Sequence, residues 1–147
     1  MLGGMKAHQG SADVQEQCCA ALRPFFFIFH LPDAGAHGYE EVLGGMKAHK
    51  GSAGVQEHGC AVLRVLTFPD KNKVVIAKAG GIEAVVGAMK AHEGSAEVQA
   101  RCCRVLWTID DKAATAIVAA GGIEAVVGAM KAHEGNADVQ EEGWWEG

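Results

Sequence analysis

The side chains with the widest chemical reach in this chain are its five cysteines and a ladder of four histidines, which together raise redox exchange and metal binding as possibilities. Cys18, Cys19, Cys60, Cys102 and Cys103 each fall four or five residues after the valine of a recurring Val-Gln pair. No CxxC spacing is present, and adjacent residues on a helix point about 100 degrees apart. Small buried residues in helix packing therefore account for the thiols better than a shared ion does. His8, His49, His92 and His133 each close a Met-Lys-Ala-His tetrapeptide, two residues before a glycine. Packed helices lie roughly 8–10 Å apart, whereas zinc requires nitrogens within about 2.1 Å of one ion, so successive histidines are not expected to share a metal. A helix C-terminus suits a partly cationic ring; surface ion exchange or pH sensing is the alternative.

Catalytic patterns are missing. There is no Gly-x-Ser-x-Gly elbow, no Gly-x4-Gly-Lys-Ser/Thr phosphate cradle and no His-Glu-x-x-His pair. Glu83 and Glu124 recur once per unit beside apolar residues and read as a solvated face rather than an acid–base pair. The expectation is a protein that is not an enzyme and holds no cofactor.

The elements that position these residues are visible as a repeat. Met-Lys-Ala-His begins at Met5, Met46, Met89 and Met130, with spacings of 41, 43 and 41 residues, and the Val-Gln pair recurs in the same phase from Val14, Val55, Val98 and Val139. Residues Gly80 to Gly94 return letter for letter from Gly121 to Gly135. A period near 42 excludes tetratricopeptide and ankyrin arrays, which run about 33 to 34 residues. Ile82, Val85, Val86 and Met89 are spaced i, i+3, i+4, i+7, which predicts one helix. Ser95 before Glu97 and Val98 predicts the N-cap of a second helix, with Ser11, Ser52 and Asn136 in the same place. An Ala-rich stretch from Lys112 to Ala120 ends at the Gly121-Gly122 corner. Four alternating strands per unit, as a propeller blade needs, are absent.

The pattern Ser-Ala-Glu-Val-Gln, then Val-Leu, then Lys-Ala-Ala-Thr-Ala-Ile-Val-Ala-Ala-Gly-Gly-Ile-Glu-Ala-Val-Val resembles the armadillo repeat from about Gly45 onward. The resemblance implies an all-α, right-handed α-solenoid of three-helix units: a short H1, an H2 carrying Gly-Ile-Glu-Ala-Val-Val and an H3 carrying Val-Gln. It also implies that the H3 helices line a concave groove for extended peptides. The units read as an H2 tail at 1–9, a degenerate repeat at 10–50, repeats at 51–94 and 95–135, and a truncated H3 at 136–147.

The first unit departs from the rest. Pro24 falls inside its H3 and is expected to stop that helix early, at a cost of about 3 kcal/mol. No H1 is recognisable after it. Phe25-Phe26-Phe27-Ile28-Phe29 reads as a degenerate end cap, a partner-binding patch or sequence foreign to the array through a gene-model artefact.

In the H3 register, the groove positions carry all four arginines of the chain: Arg23, Arg64, Arg101 and Arg104. His58, Trp107, Thr108 and Trp145 share that face. Arginine offers planar paired donors to carboxylates and stacks on aromatics, so an extended acidic segment of another protein is the expected ligand; solvated arginines paired to neighbouring carboxylates are the alternative. The resemblance to nuclear-import adaptors lacks their Trp and Asn pair, since Ala20 with Pro24, Ala61 with Val65 and Arg104 with Thr108 stand there. That points away from basic nuclear-localisation peptides.

A net charge of −5 argues against nucleic acid or an anionic membrane as a bulk partner. No apolar run approaches the roughly 20 residues of a membrane span, and the start shows no basic flank and apolar core of a secretory signal. An intracellular address, cytoplasmic or nuclear, follows as the expectation. Bare repeat ends expose apolar faces, so an end-to-end homo-oligomer, or a piece of a longer scaffold, is the second reading.

Overall fold

The computed structural model describes the backbone of residues 10–29 and 35–143, and the side chains of residues 10–21, 38–109 and 111–143. The H2 tail expected at 1–9, the Trp144-Trp145 end, Arg23 as a side chain and the environment of the Phe25 to Phe29 rings lie outside the described residues.

Eight helices run through the described residues and no strand is among them: α1 Ala12–Phe29, α2 Gly35–Ala48, α3 Ala53–Leu66, α4 Asp70–Lys78, α5 Gly81–Ala91, α6 Ala96–Ala119, α7 Gly122–Ala132 and α8 Ala137–Gly143. The all-α repeat solenoid expected from the sequence is the architecture found. H3 helices stack side by side, α3 packing on α1 and α6, and α6 on α8; α2, α5 and α7 are the H2 layer, α5 lying between the other two. One continuous core runs between the layers, built from residues such as Met46, Leu63, Ile76, Ile82, Val105 and Ile109. No single described helix is long and apolar enough to cross a membrane.

Two local expectations change. The backbone of α1 stays helical through Pro24 to Phe29, so the early stop does not occur. Proline forfeits only its own bond to the carbonyl four residues back, and the helix resumes beyond it. In the third unit H3 and H1 are one helix, α6, bent at Ala113 (φ −144°, ψ 21°), where the second unit has separate helices α3 and α4. The repeat arithmetic explains this. Val55 to Val98 is 43 residues, but Ile76 to Ile117 is 41, so the third unit has lost two residues from the H3–H1 link. The second unit's longer link runs through Thr67, Phe68 and Pro69: Thr67 Oγ1 donates to the Arg64 carbonyl at 2.6 Å, and Pro69 is the N-cap of α4. The buried Asn72 then donates through Nδ2 to the Leu66 carbonyl at 2.9 Å, closing the end of α3.

The N-caps stand where the sequence puts them. Ser11, Ser52 and Ser95 accept from the amides of Val14, Val55 and Val98 at 3.3–3.4 Å, and Asn136 Oδ1 accepts from Val139 at 3.1 Å. At the glycine corner the two residues have different tasks. Gly80 and Gly121 adopt left-handed φ of 87° and 78°. A Cβ on Gly81 or Gly122 would lie 2.7 or 2.9 Å from the carbonyl oxygen of Ile76 or Ile117, so these second glycines permit close approach of H2 to H1.

The glutamine of Val-Gln joins the layers. Gln56 Nε2 donates to the carbonyls of Met46 (3.0 Å) and His49 (2.9 Å), and Gln99 Nε2 to Met89 (2.9 Å) and His92 (2.8 Å). Gln140 repeats the pair on Met130 (2.7 Å) and His133 (3.1 Å). Each H3 glutamine thus caps the carboxyl end of the H2 before it, satisfying carbonyls that have no partner within their own helix. Gln56 and Gln99 are both buried.

Gln99→Leu keeps the bulk and removes both donors, leaving the Met89 and His92 carbonyls without them; a loss of about 2–4 kcal/mol in urea unfolding is expected. Two glycine substitutions on α5 should move in opposite directions in the same assay. Gly81→Ala meets the Ile76 backbone and destabilises. Gly87→Ala adds a methyl where nothing lies within 4 Å and should stabilise by about 0.5–1 kcal/mol.

Candidate protein-interaction groove

Of the residues predicted for the groove, His58 and Arg64 lie on α3, and Arg101, Arg104, Trp107 and Thr108 on the first part of α6. Trp145 lies outside the described residues, as does the side chain of Arg23. Spacing of three and four residues along α6 sets Arg101, Arg104 and Thr108 on one helical face. Trp107 projects into solvent, 54% exposed. Thr108 turns inward on its own helix, its Oγ1 donating to the Arg104 carbonyl at 2.7 Å.

The arginines are linked to neighbouring repeats. Arg104 Nε donates to Glu142 Oε1 at 2.6 Å, and its Nη2 reaches the same oxygen, so α6 is tied to α8. Arg101 faces Glu57 on α3 at 3.8 Å. Arg64 lies over the ring of Phe68, 5.8 Å from its centroid. Burial lowers the Arg64 pKa, and the positive fields of Arg104 and Arg101 add to that while Glu142 opposes it. The hydrogen bond to Glu142 instead raises the pKa of Arg104. Arg64 therefore senses Arg101 and Arg104 on the next H3 helix and Glu142 on the one beyond it.

Phe68 is a member of this surface that sequence reasoning missed. It is 52% exposed and stands in the linker gained by the second unit. Its two-residue insertion was the available signal. The pairings of Arg101 with Glu57 and of Arg104 with Glu142 were likewise not legible from helical register. Beside the patch, Lys73 of α4 bridges Asp70 at 3.2 Å and Asp111 of α6 at 3.0 Å. The Asp111 hydrogen bond is the leading cause of its raised pKa.

Two rungs of the histidine ladder are bonded to the unit before them, and His8 lies outside the described residues. His92 Nε2 lies 2.7 Å from the Lys50 carbonyl oxygen, and His133 Nε2 2.7 Å from that of Glu93; in both the ring nitrogen donates across to the preceding unit. Either the neutral ring protonated at Nε2 or the cation can do this. Among the described residues no group of three or more His, Cys, Asp or Glu side chains is arranged to hold a metal. On the H2 layer, repeat-equivalent clefts of about 340 and 280 Å³ sit over Met46, Gln56 and Gly87 and over Met89, Gln99 and Gly128.

All five cysteines are free. Cys19, Cys60, Cys102 and Cys103 are buried, and the sulfurs of Cys60 and Cys102 touch across the α3–α6 interface at 3.5 Å. Burial pushes the thiols of Cys19 and Cys103 up to about 12. Since the thiolate is the nucleophile, iodoacetamide at pH 8 should label the half-buried Cys18 first. Mass mapping should find Cys19 and Cys103 labelled only in denaturant; equal labelling of all five in the native protein would contradict this packing.

No curated protein and no solved structure matches the chain. The family model described as LRRK2 ARM repeat matches residues 3–145. Since that match spans nearly the whole chain, the chain belongs to the LRRK2 ARM repeat family.

Proposed function

We propose that this armadillo array is a non-catalytic interaction module that holds an extended, acidic segment of another protein along its H3 face. Armadillo arrays of this family are in general protein-interaction scaffolds, and the finer reading rests on one observation. Arg101 and Arg104 stand close enough to Arg64 for their charges to lower its pKa, and Phe68 and Trp107 stand exposed on the same two H3–H1 segments. Arginine beside exposed aromatic rings is the composition from which interaction hot spots are made. A carboxylate on the ligand would take the place of Glu57 or Glu142, exchanging one ion pair for another, while the rings cover the ligand's apolar atoms. Unpaired thiols are in keeping with a reducing, intracellular setting.

A fluorescein-labelled glutamate decapeptide tests this, followed by anisotropy at low salt. Binding should weaken at least about tenfold with Arg64→Glu, equivalent to about 1.4 kcal/mol. It should strengthen several-fold with Glu142→Gln, which releases Arg104. A lysine decapeptide should not bind this face. If both variants bind the acidic peptide as the parent does, the H3 face is not its site.

A further inference from the structure

The thiols of Cys60 and Cys102 meet inside the array, on the facing helices α3 and α6, with Sγ 3.5 Å from Sγ and both residues fully buried. Helical register explains the meeting. Cys60 stands five residues after Val55 and Cys102 four residues after Val98, so a fifth-place side chain on one H3 meets a fourth-place side chain on the next. Carried to the neighbouring interfaces, the same register sets Cys19 against Gly59 and Cys103 against Gly143. At those glycines methionine takes the room of a side chain: a Cβ would lie 2.7 Å from Met46 Cγ at Gly59 and 2.5 Å from Met130 Cγ at Gly143. The α3–α6 interface is thus the described one at which register sets thiol against thiol. Cys19 is the nearest rival for Cys60, its pKa being raised by burial first, then by Cys18 and by Cys60. Adjacent cysteines of one helix, Cys18 with Cys19 or Cys102 with Cys103, point about 100 degrees apart and are poorly placed to bond each other.

We propose that Cys60 and Cys102 are an oxidisable pair, which a hydroperoxide converts into a disulfide that staples the second repeat to the third. The gap to close is short. Bonded sulfurs lie about 2.05 Å apart, so each thiol has to move by less than about 1 Å. With hydrogen peroxide, one thiolate attacks a peroxide oxygen; an S–O bond forms, the O–O bond breaks, and the leaving oxygen departs with protons as water. The other thiol then attacks the sulfenic sulfur, forming S–S and releasing a second water, so the peroxide takes up the two electrons that the sulfurs lose. The hydrogen bond to Cys60, followed by burial, holds the Cys102 pKa well above that of an ordinary thiol. Thiolate is therefore scarce while the interface is closed, and the reaction passes through local opening of α3 from α6. The link joins residues 42 apart, one helical turn before Arg64 and beside Arg101, and so fixes the spacing of the two helices that carry the arginines. It does not depend on an acidic segment binding there.

The test treats the full chain with hydrogen peroxide in urea below the unfolding transition, where opening is more frequent. The protein is then alkylated in denaturant and mapped by mass spectrometry without reduction. The expected result is a linked peptide joining Cys60 to Cys102 and, after removal of urea, a Tm raised by about 5 °C or more that dithiothreitol returns to its starting value. Cys102→Ser should abolish the reversible rise, and the map of the unaltered chain decides the pairing however well that variant folds. At a dose that consumes the Cys18 thiol, the absence of a Cys60–Cys102 link, or a link from Cys60 to Cys19 in its place, overturns the proposal. A Cys60–Cys102 link that lowers Tm overturns it as well, since the bond would then strain the interface instead of stapling it.

Discussion

Everything in this array hangs on how the carboxyl end of one helix is closed by the next. A helix ends with carbonyls that lack partners, and burying them between layers is costly unless something donates to them. Gln56, Gln99 and Gln140 supply a primary amide with two hydrogens, aimed at two such carbonyls each. Because the glutamine stands on H3 and its acceptors on H2, the bond also fixes the angle between the layers. Histidine at the end of the same H2 then reaches the carbonyl of the preceding unit, so one corner is both closed by the H3 that follows it and tied to the unit before it. The Met-Lys-Ala-His and Val-Gln signatures keep phase because they are two halves of one hydrogen-bonded corner.

That constraint separates what was legible in the sequence from what was not. The period, the helix faces, the serine and asparagine caps and the glycine corners are short-range features, each set by a few neighbouring residues, and they could be read directly. Val-Gln was readable as a phase marker but not as a cap, because its acceptors lie ten and seven residues back and only folding brings them together. Pro24 misled because the rule against interior proline is a free-energy cost of a few kcal/mol rather than a prohibition. The fused α6 was implicit in the spacings of 43 and 41, since losing two residues removes the room for a linker.

The groove was harder to read for a different reason. Helical register puts Arg64, Arg101 and Arg104 on H3 without showing which carboxylates come to meet them. Glu57 and Glu142 belong to adjacent repeats, so their positions depend on inter-repeat packing rather than on spacing along one helix. The alternative of arginines paired to neighbouring carboxylates therefore describes Arg101 and Arg104 as they stand. Arg64 differs, resting on Phe68, a residue outside the regular pattern.

These pairs change what a ligand would experience. An acidic segment approaching bare arginines would gain long-range attraction and contact energy together. Here Glu57 and Glu142 cancel much of the distant field, so steering of the encounter is modest and the gain must come at short range. Exchange of a carboxylate for a carboxylate is nearly neutral in charge, which leaves Trp107 and Phe68 to provide the surplus through apolar burial. Selectivity would then lie in the spacing of acidic and apolar groups along the ligand rather than in its total charge. An array with one unit's geometry repeated across it reads spacing well, since each successive H3 presents its side chains one helix diameter further along.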